Sequence, residues 1–193
     1  MILAIDTSAG QCAVALADRD GVKSRVKHLA RGHAEHLFPM IDDLTGGNYS
    51  RLTKIVVCTG PGSFTGLRIG VAAARGLALG SGSSVLGVSR FEALAYGQRR
   101  VTVVLAGRGE TRYLQSFADG IAIGPPDIGP LPEDGGLVGD GLPGSVEEDG
   151  LVDPRVLVTI GESRDAGLPP APLYLRDAAA EPPREPPPVI LDP

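Results

Sequence analysis

The chain opens on MILAIDTS, an apolar run that ends in Asp6-Thr7-Ser8, and QCAVALAD follows after a short turn. This pattern predicts two strands joined as a hairpin, with the polar residues at its tip. Over GVKSRVKHLA, Val22, Ser24, Val26 and His28 alternate with Lys23, Arg25 and Lys27, as expected of an edge strand with a charged outer face. The period then changes. In RGHAEHLFPMIDDL, Leu37, Met40, Ile41 and Leu44 fall at i, i+3, i+4 and i+7, a narrow helical stripe with Pro39 inside it. KIVVCTG reads as a strand at the centre of a parallel sheet. CTGPGSFTGLRIGVAAARGLALG then predicts a strand, a tight turn and a helix, and SVLGVSRFEALAYG a further strand with a short helix from near Ser89.

The second half is less regular. RVTVVLAG and TRYLQSFA read as strands joined by a turn at Arg108-Gly109-Glu110. Residues 119–150 are crowded with Gly, Pro, Asp and Glu, which predicts loops. Asp153-Pro154 suits a helix start, Asp as N-cap and Pro in the first position. The β-branched residues behind it leave a strand open as the alternative. The tail from Glu181, EPPREPPPVILDP, is expected to be disordered.

Bulk properties narrow the function classes. At 193 residues the chain is long enough for one domain or two small ones. Its net charge is −5 and it shows no basic run, so it lacks the footprint of a protein that grips nucleic acid alone. Cys12 and Cys58 each lie in an apolar segment, with neither disulfide nor zinc spacing, and read as buried small hydrophobes. With no basic leader and no long uninterrupted apolar span, the expectation is a soluble cytoplasmic protein without membrane contact.

Two local patterns carry candidate chemistry. Gly60, Gly62 and Ser63 form a turn between strand and helix, and free backbone donors at a helix start favour anions. No lysine follows the turn, so it is not a P-loop. Asp6, Thr7 and Ser8 suit contact with a phosphate or a metal-bound water, or else a turn whose side chains satisfy their own backbone. In the helix behind the turn, Gly66, Gly70, Ala73 and Ala74 recur on one face. Glycine in a helix costs about 1 kcal/mol relative to alanine, which implies a gain from close approach. That approach is either to a second helix or to the chain's own sheet. His33 and His36 flank Glu35, but they stand at i and i+3 rather than the i and i+4 of a helical zinc pair, and no metal site is expected. No nucleophile with its base is legible.

Taken together, ILAIDTS, HAEHLFPMIDDL, VVCTGPGSFTGLRIGVAAARGLA, VSRFEALA and PLYLRDA resemble the bacterial TsaB (YeaZ) family. The resemblance implies an α/β, two-lobed fold like that of actin, Hsp70 and sugar kinases (ribonuclease H-like), with mixed sheets and here a reduced second lobe. It divides the chain into a first lobe over 1–98, a second over 99–180 and the tail 181–193. It implies a non-catalytic subunit without a cofactor, which partners a TsaD-like catalytic subunit and a TsaE-like ATPase and meets tRNA only through that complex. The complex installs threonylcarbamoyladenosine beside the anticodon of tRNAs that read codons starting with A. It also implies pairing with a second copy when the partner is absent.

The implied interface comprises Leu37, Met40, Ile41 and Leu44 on one helix, with Gly66, Gly70, Ala73, Ala74 and Leu77 on the other. Asp6, Thr7, Ser8, Gly60, Gly62 and Ser63 become a vestigial phosphate loop. In the second lobe, where the family carries a motif resembling D-A-R-x-x-E-x-Y, AGRGETRY has Ala106 for the Asp and Thr111 for the Glu, while Arg108 and Tyr113 remain. A peptidase or a small nucleotide-dependent phosphotransferase is the alternative, and GDG at 139–141 is its one hint of a second phosphate loop.

Overall fold

The computed structural model describes residues 1–133 and 135–175. Expectations for the tail 181–193 lie outside these residues. Five strands form the first sheet: β1 (Ile2–Asp6), β2 (Gln11–Asp18), β3 (Gly21–His28), β4 (Lys54–Cys58) and β5 (Ser84–Val88). Their order is β3-β2-β1-β4-β5, with the first three antiparallel and β1, β4 and β5 parallel. Alternation along each strand sorts its side chains between two layers. Leu3, Ile5, Val14 and Val57 face α1 (His33–Thr45) and α2 (Phe64–Ser81), while Ala4, Ala15 and Val56 face α3 (Arg90–Ala95) and α4 (Pro154–Ser163).

The second sheet is built on β6 (Arg100–Ala106) and β7 (Arg112–Ala118), joined by the expected turn. Short strands β8 (Ile121–Ala122), β9 (Asp127–Ile128) and β10 (Leu137–Val138) complete it, with β10 parallel to β6. Phe91 of α3 reaches into the core of this lobe beside Val103, Leu105 and Phe117. Two mixed sheets with helices, the second sheet small, are the two-lobed α/β architecture that the resemblance implies.

Local chemistry sets the helix ends. Ser63 Oγ accepts the Gly66 amide at the start of α2. At α3 the cap is reciprocal: Ser89 Oγ accepts from Glu92 N at 3.0 Å, and Glu92 Oε2 accepts from Ser89 N at 2.8 Å. Asp153 caps α4 with Pro154 in its first turn, which settles that segment as helix. One expectation needs correction. Helix α4 packs on β1, β2 and β4, so this part of 99–180 belongs with the first sheet, because its apolar residues Leu157, Val158 and Ile160 cover the face that α1 and α2 leave bare. The charged flank of β3, at the edge of its sheet, is exposed as expected, and part of it is paired. Arg25 pairs with Asp43 of α1 at 2.7 Å, and Lys27 Nζ lies 3.0 Å from the His36 ring, while Val22 and Val26 stand half exposed on the α4 side.

Both cysteines are buried in the first lobe. Burial first, then the nearby Asp6 charge, pushes the Cys12 thiol up to about 11 and that of Cys58 further still. Because only the thiolate attacks, the folded protein at pH 8 is expected to leave both thiols unlabelled by a maleimide and to expose two in urea. Rapid labelling of either thiol in the native state contradicts this packing.

Candidate functional site

Two concave sites stand out: a polar cleft between the lobes and an apolar groove on the first lobe. The cleft has a volume of about 470 Å³ and is bordered by Ser8, Gly62, Ser63, Arg108, Tyr113 and Glu147, among others. Its floor is made where the β1–β2 tip meets the turn before α2. There the Ser63 amide donates to Ser8 O at 2.7 Å, and a Cβ on Gly62 would stand 2.0 Å from that same oxygen. Only a residue without a side chain fits there.

The structure divides the six residues of the expected phosphate loop. Ser8, Gly62 and Ser63 border the cleft. Asp6 is wholly buried beneath it, one carboxylate oxygen accepting from Ser8 N and the other from Gln11 Nε2, each at 2.9 Å. Thr7 Oγ donates to Gly66 O at 2.7 Å, and Gly60 lies against Leu67. Asp6 and Thr7 therefore hold the tip together, the turn reading that the sequence left open.

The GDG hint is corrected in the same way. Asp140 pairs with the Arg90 guanidinium at 2.7 Å and accepts the Ala106 amide at 2.9 Å, so its carboxylate is bound into the wall. Gly139 and Gly141 are small because β6 backbone passes close to both. Thr111 closes the turn between β6 and β7, its carbonyl accepting the Gly107 amide at 2.8 Å. Arg90 also donates to Gly150 O at 2.7 Å, tying α3 to the chain ahead of α4. No sequence signal links Arg90 to Asp140, since fifty residues separate them.

The groove lies between α1 and α2, has a volume of about 580 Å³ and is walled almost wholly by apolar groups. Of the nine expected interface residues, Leu37, Ala73 and Leu77 line it. Of the other six, Ile41, Ala74, Gly66 and Gly70 need correction, whereas Met40 and Leu44 are half-buried. Ile41 and Ala74 are wholly buried in the core beneath, with Met40 and Leu44 packed against that core. Gly66 and Gly70 turn inward: a Cβ on Gly66 would lie 2.0 Å from Thr7 O, and one on Gly70 2.4 Å from Thr7 Oγ. Their close approach is to the chain's own hairpin.

The groove instead uses the next row around each helix, namely Ala34 and Phe38 on α1 and Ile69, Ala72, Gly76 and Gly80 on α2, with Tyr49 at one end. Around Gly76 and Gly80 nothing stands within 4 Å of where a Cβ would be. The signal for this row was present as small residues at 72, 76 and 80, three turns of one helical face.

Comparison with known proteins adds the relationship. Residues 20–120 match the family described as TsaD: tRNA N6-adenosine threonylcarbamoyltransferase. The tRNA threonylcarbamoyladenosine biosynthesis protein TsaB of Escherichia coli is 38% identical over 51% of this chain and 44% of its own. An uncharacterized protein of Mycobacterium bovis is 32% identical over 94% of each chain. Among solved structures, an uncharacterized protein of Pseudomonas aeruginosa with similarity to peptidase YeaZ superposes with a TM-score of 0.76 at 27% identity, covering 91% of this chain and 99% of that one. The matched region spans less than half the length of the first curated relatives.

Proposed function

The chain belongs to the TsaB family of tRNA threonylcarbamoyladenosine biosynthesis proteins, and on that premise we propose that it is the non-catalytic scaffold subunit of a threonylcarbamoyl transferase complex. The observation that carries the reading is the open groove between α1 and α2. Its floor is apolar, its α2 wall is lined by Ala72, Gly76 and Gly80, and Phe38 and Leu79 stand exposed beside it at 43% and 89%. Such a surface is stabilised by burial against a second protein. A TsaD-like catalytic subunit is the proposed occupant, with a TsaE-like ATPase joining the pair and tRNA bound through the assembly.

The cleft supports the non-catalytic part. A phosphotransferase of this architecture would use carboxylates facing the cleft to hold a metal–nucleotide. Here those of Asp6 and Asp140 are bound to Gln11, Arg90 and backbone amides, which leaves the single exposed carboxylate of Glu147 at the cleft border without a partner among the described residues. No helix among the described residues is long and apolar enough to cross a membrane.

The test is reconstitution. The full chain, a TsaD-like subunit and a TsaE-like ATPase are purified separately and combined with unmodified tRNA, ATP and an activated threonylcarbamoyl donor (the mixed anhydride of threonylcarbamate with AMP), and the nucleosides are read by mass spectrometry. Modification that requires all three proteins, with this chain co-eluting with the TsaD-like subunit, is expected. Full modification without this chain overturns the scaffold role, and modification by this chain alone overturns the non-catalytic one.

A further inference from the structure

The segment PLYLRDA belongs to the family resemblance, yet its described residues, 172–175, line neither the groove nor the cleft. They run between the lobes instead. Pro170, just ahead of them, is buried on the first sheet beside Gly87 of β5, where a Cβ would stand 2.8 Å from the Pro170 Cβ. The Leu173 amide donates to Thr59 O at 2.7 Å, one residue past the end of β4, and Thr59 N donates to Val88 O at 2.8 Å. The Leu173 and Leu175 side chains pack against the second-lobe core of Val103, Leu105 and Phe117. Between them Tyr174 meets α2: its ring lies 4.9 Å from that of Phe64, and its hydroxyl accepts from Arg68 Nε at 3.1 Å. Extended backbone sends neighbouring side chains to opposite sides, so one short segment reaches three bodies.

The chain joins the lobes twice before this point, where α3 leads into β6 and where the stretch after β10 leads into α4. Two connections alone leave the hinge motion that is the default between lobes. Arg90, paired with Asp140, holds α3 to the second lobe, and Gln11 Nε2 donates to Val152 O at 2.7 Å at the start of α4. Residues 170–175 add a third tie. It differs from the other two in joining the first sheet, α2 and the second-lobe core at once.

We infer that residues 170–175 are a strap that fixes the two lobes as one body. The cleft then keeps one width instead of closing over a ligand, and α2 and the second lobe stand in a constant relation. Leu173 carries both sides of the strap, its amide on the first lobe and its side chain in the second. The inference holds whatever protein occupies the groove, so it stands or falls apart from the scaffold reading.

Distances between two spin labels, measured by double electron–electron resonance on the full chain, test it. The labels are placed at Thr159→Cys on α4 and Ile121→Cys on β8, both exposed, with Cys12→Ala and Cys58→Ala removing the native thiols. With the strap otherwise unaltered, one narrow distance distribution is expected, unchanged by magnesium and ATP. Leu173→Ala with Leu175→Ala removes the second-lobe side of the strap, and Leu173→Pro removes the donor to Thr59. Each is expected to widen the distribution about twofold or more as hinge motion returns, with circular dichroism showing a folded protein. A broad or two-peaked distribution without the strap substitutions, or a shift on adding magnesium and ATP, overturns the proposal. So do folded strap variants that stay as narrow as their parent. Hydrogen exchange on the wild type gives a readout that needs no substitution: the Leu173 amide is expected to be protected like those of β6. Exchange of that amide at the rate of an exposed loop overturns the strap.

Discussion

Asp140→Ala is expected to destabilise the protein by about 3–5 kcal/mol, because it strands a buried guanidinium. The side chains of Arg90 and Asp140 are 4% and 10% exposed and meet at 2.7 Å. Arg90 opens α3 on the first sheet, whereas Asp140 follows β10 in the second. The pair therefore crosses between lobes, and Gly150 is confined against it: a Cβ there would stand 2.2 Å from the guanidinium. Removing the carboxylate also leaves the Ala106 amide without its acceptor. In a protein of this size the loss corresponds to a fall in Tm of roughly 6–20 °C. The double variant Arg90→Met with Asp140→Leu should recover most of the stability, since apolar replacement of a buried ion pair is often neutral. Thermal unfolding followed by circular dichroism decides it. A loss below about 1 kcal/mol for Asp140→Ala means that the pair does not tie the lobes together.

How far the sequence reaches depends on whether a feature is local. The strand, turn and helix around Gly60–Ser63 and the caps at Ser89 and Asp153 were legible because one residue and its near neighbours decide them. The apolar stripe of α1 was legible too, but it marks the side that packs, and Leu37 and Ile41 pack on the chain's own sheet. Periodicity cannot tell an internal neighbour from an external one. The same ambiguity moved Gly66 and Gly70 to the interface, when the atom that excludes their side chains is on Thr7, some sixty positions earlier. The Arg90–Asp140 pair and the placement of α4 on the first sheet are also products of distant contact. Ala72, Gly76 and Gly80 repeat at the same spacing as Gly66, Gly70 and Ala74, so spacing alone does not tell which small-residue row faces outward.

That distinction gives the second large effect, a contrast between two glycines ten residues apart on one helix. Gly66→Ala is expected to damage the fold. Its methyl would stand 2.0 Å from the Thr7 carbonyl oxygen, a backbone atom that cannot swing aside. Overpacking of this kind costs about 1–3 kcal/mol, and the roughly 1 kcal/mol that alanine contributes to a helix offsets only part of it. Gly76→Leu should do the reverse. Nothing lies within 4 Å of its Cβ position, so the fold is kept and the helix gains propensity. The new side chain fills the groove and holds a partner off. Affinity for the TsaD-like subunit should fall by about ten- to a hundredfold, the equivalent of about 1.4–2.8 kcal/mol. Calorimetric titration of both variants against that subunit, with thermal unfolding of each, separates the effects. Wild-type affinity in a well-folded Gly76→Leu protein removes the groove as the interface. Unchanged stability in Gly66→Ala would mean that the hairpin tip yields where the packing says it cannot.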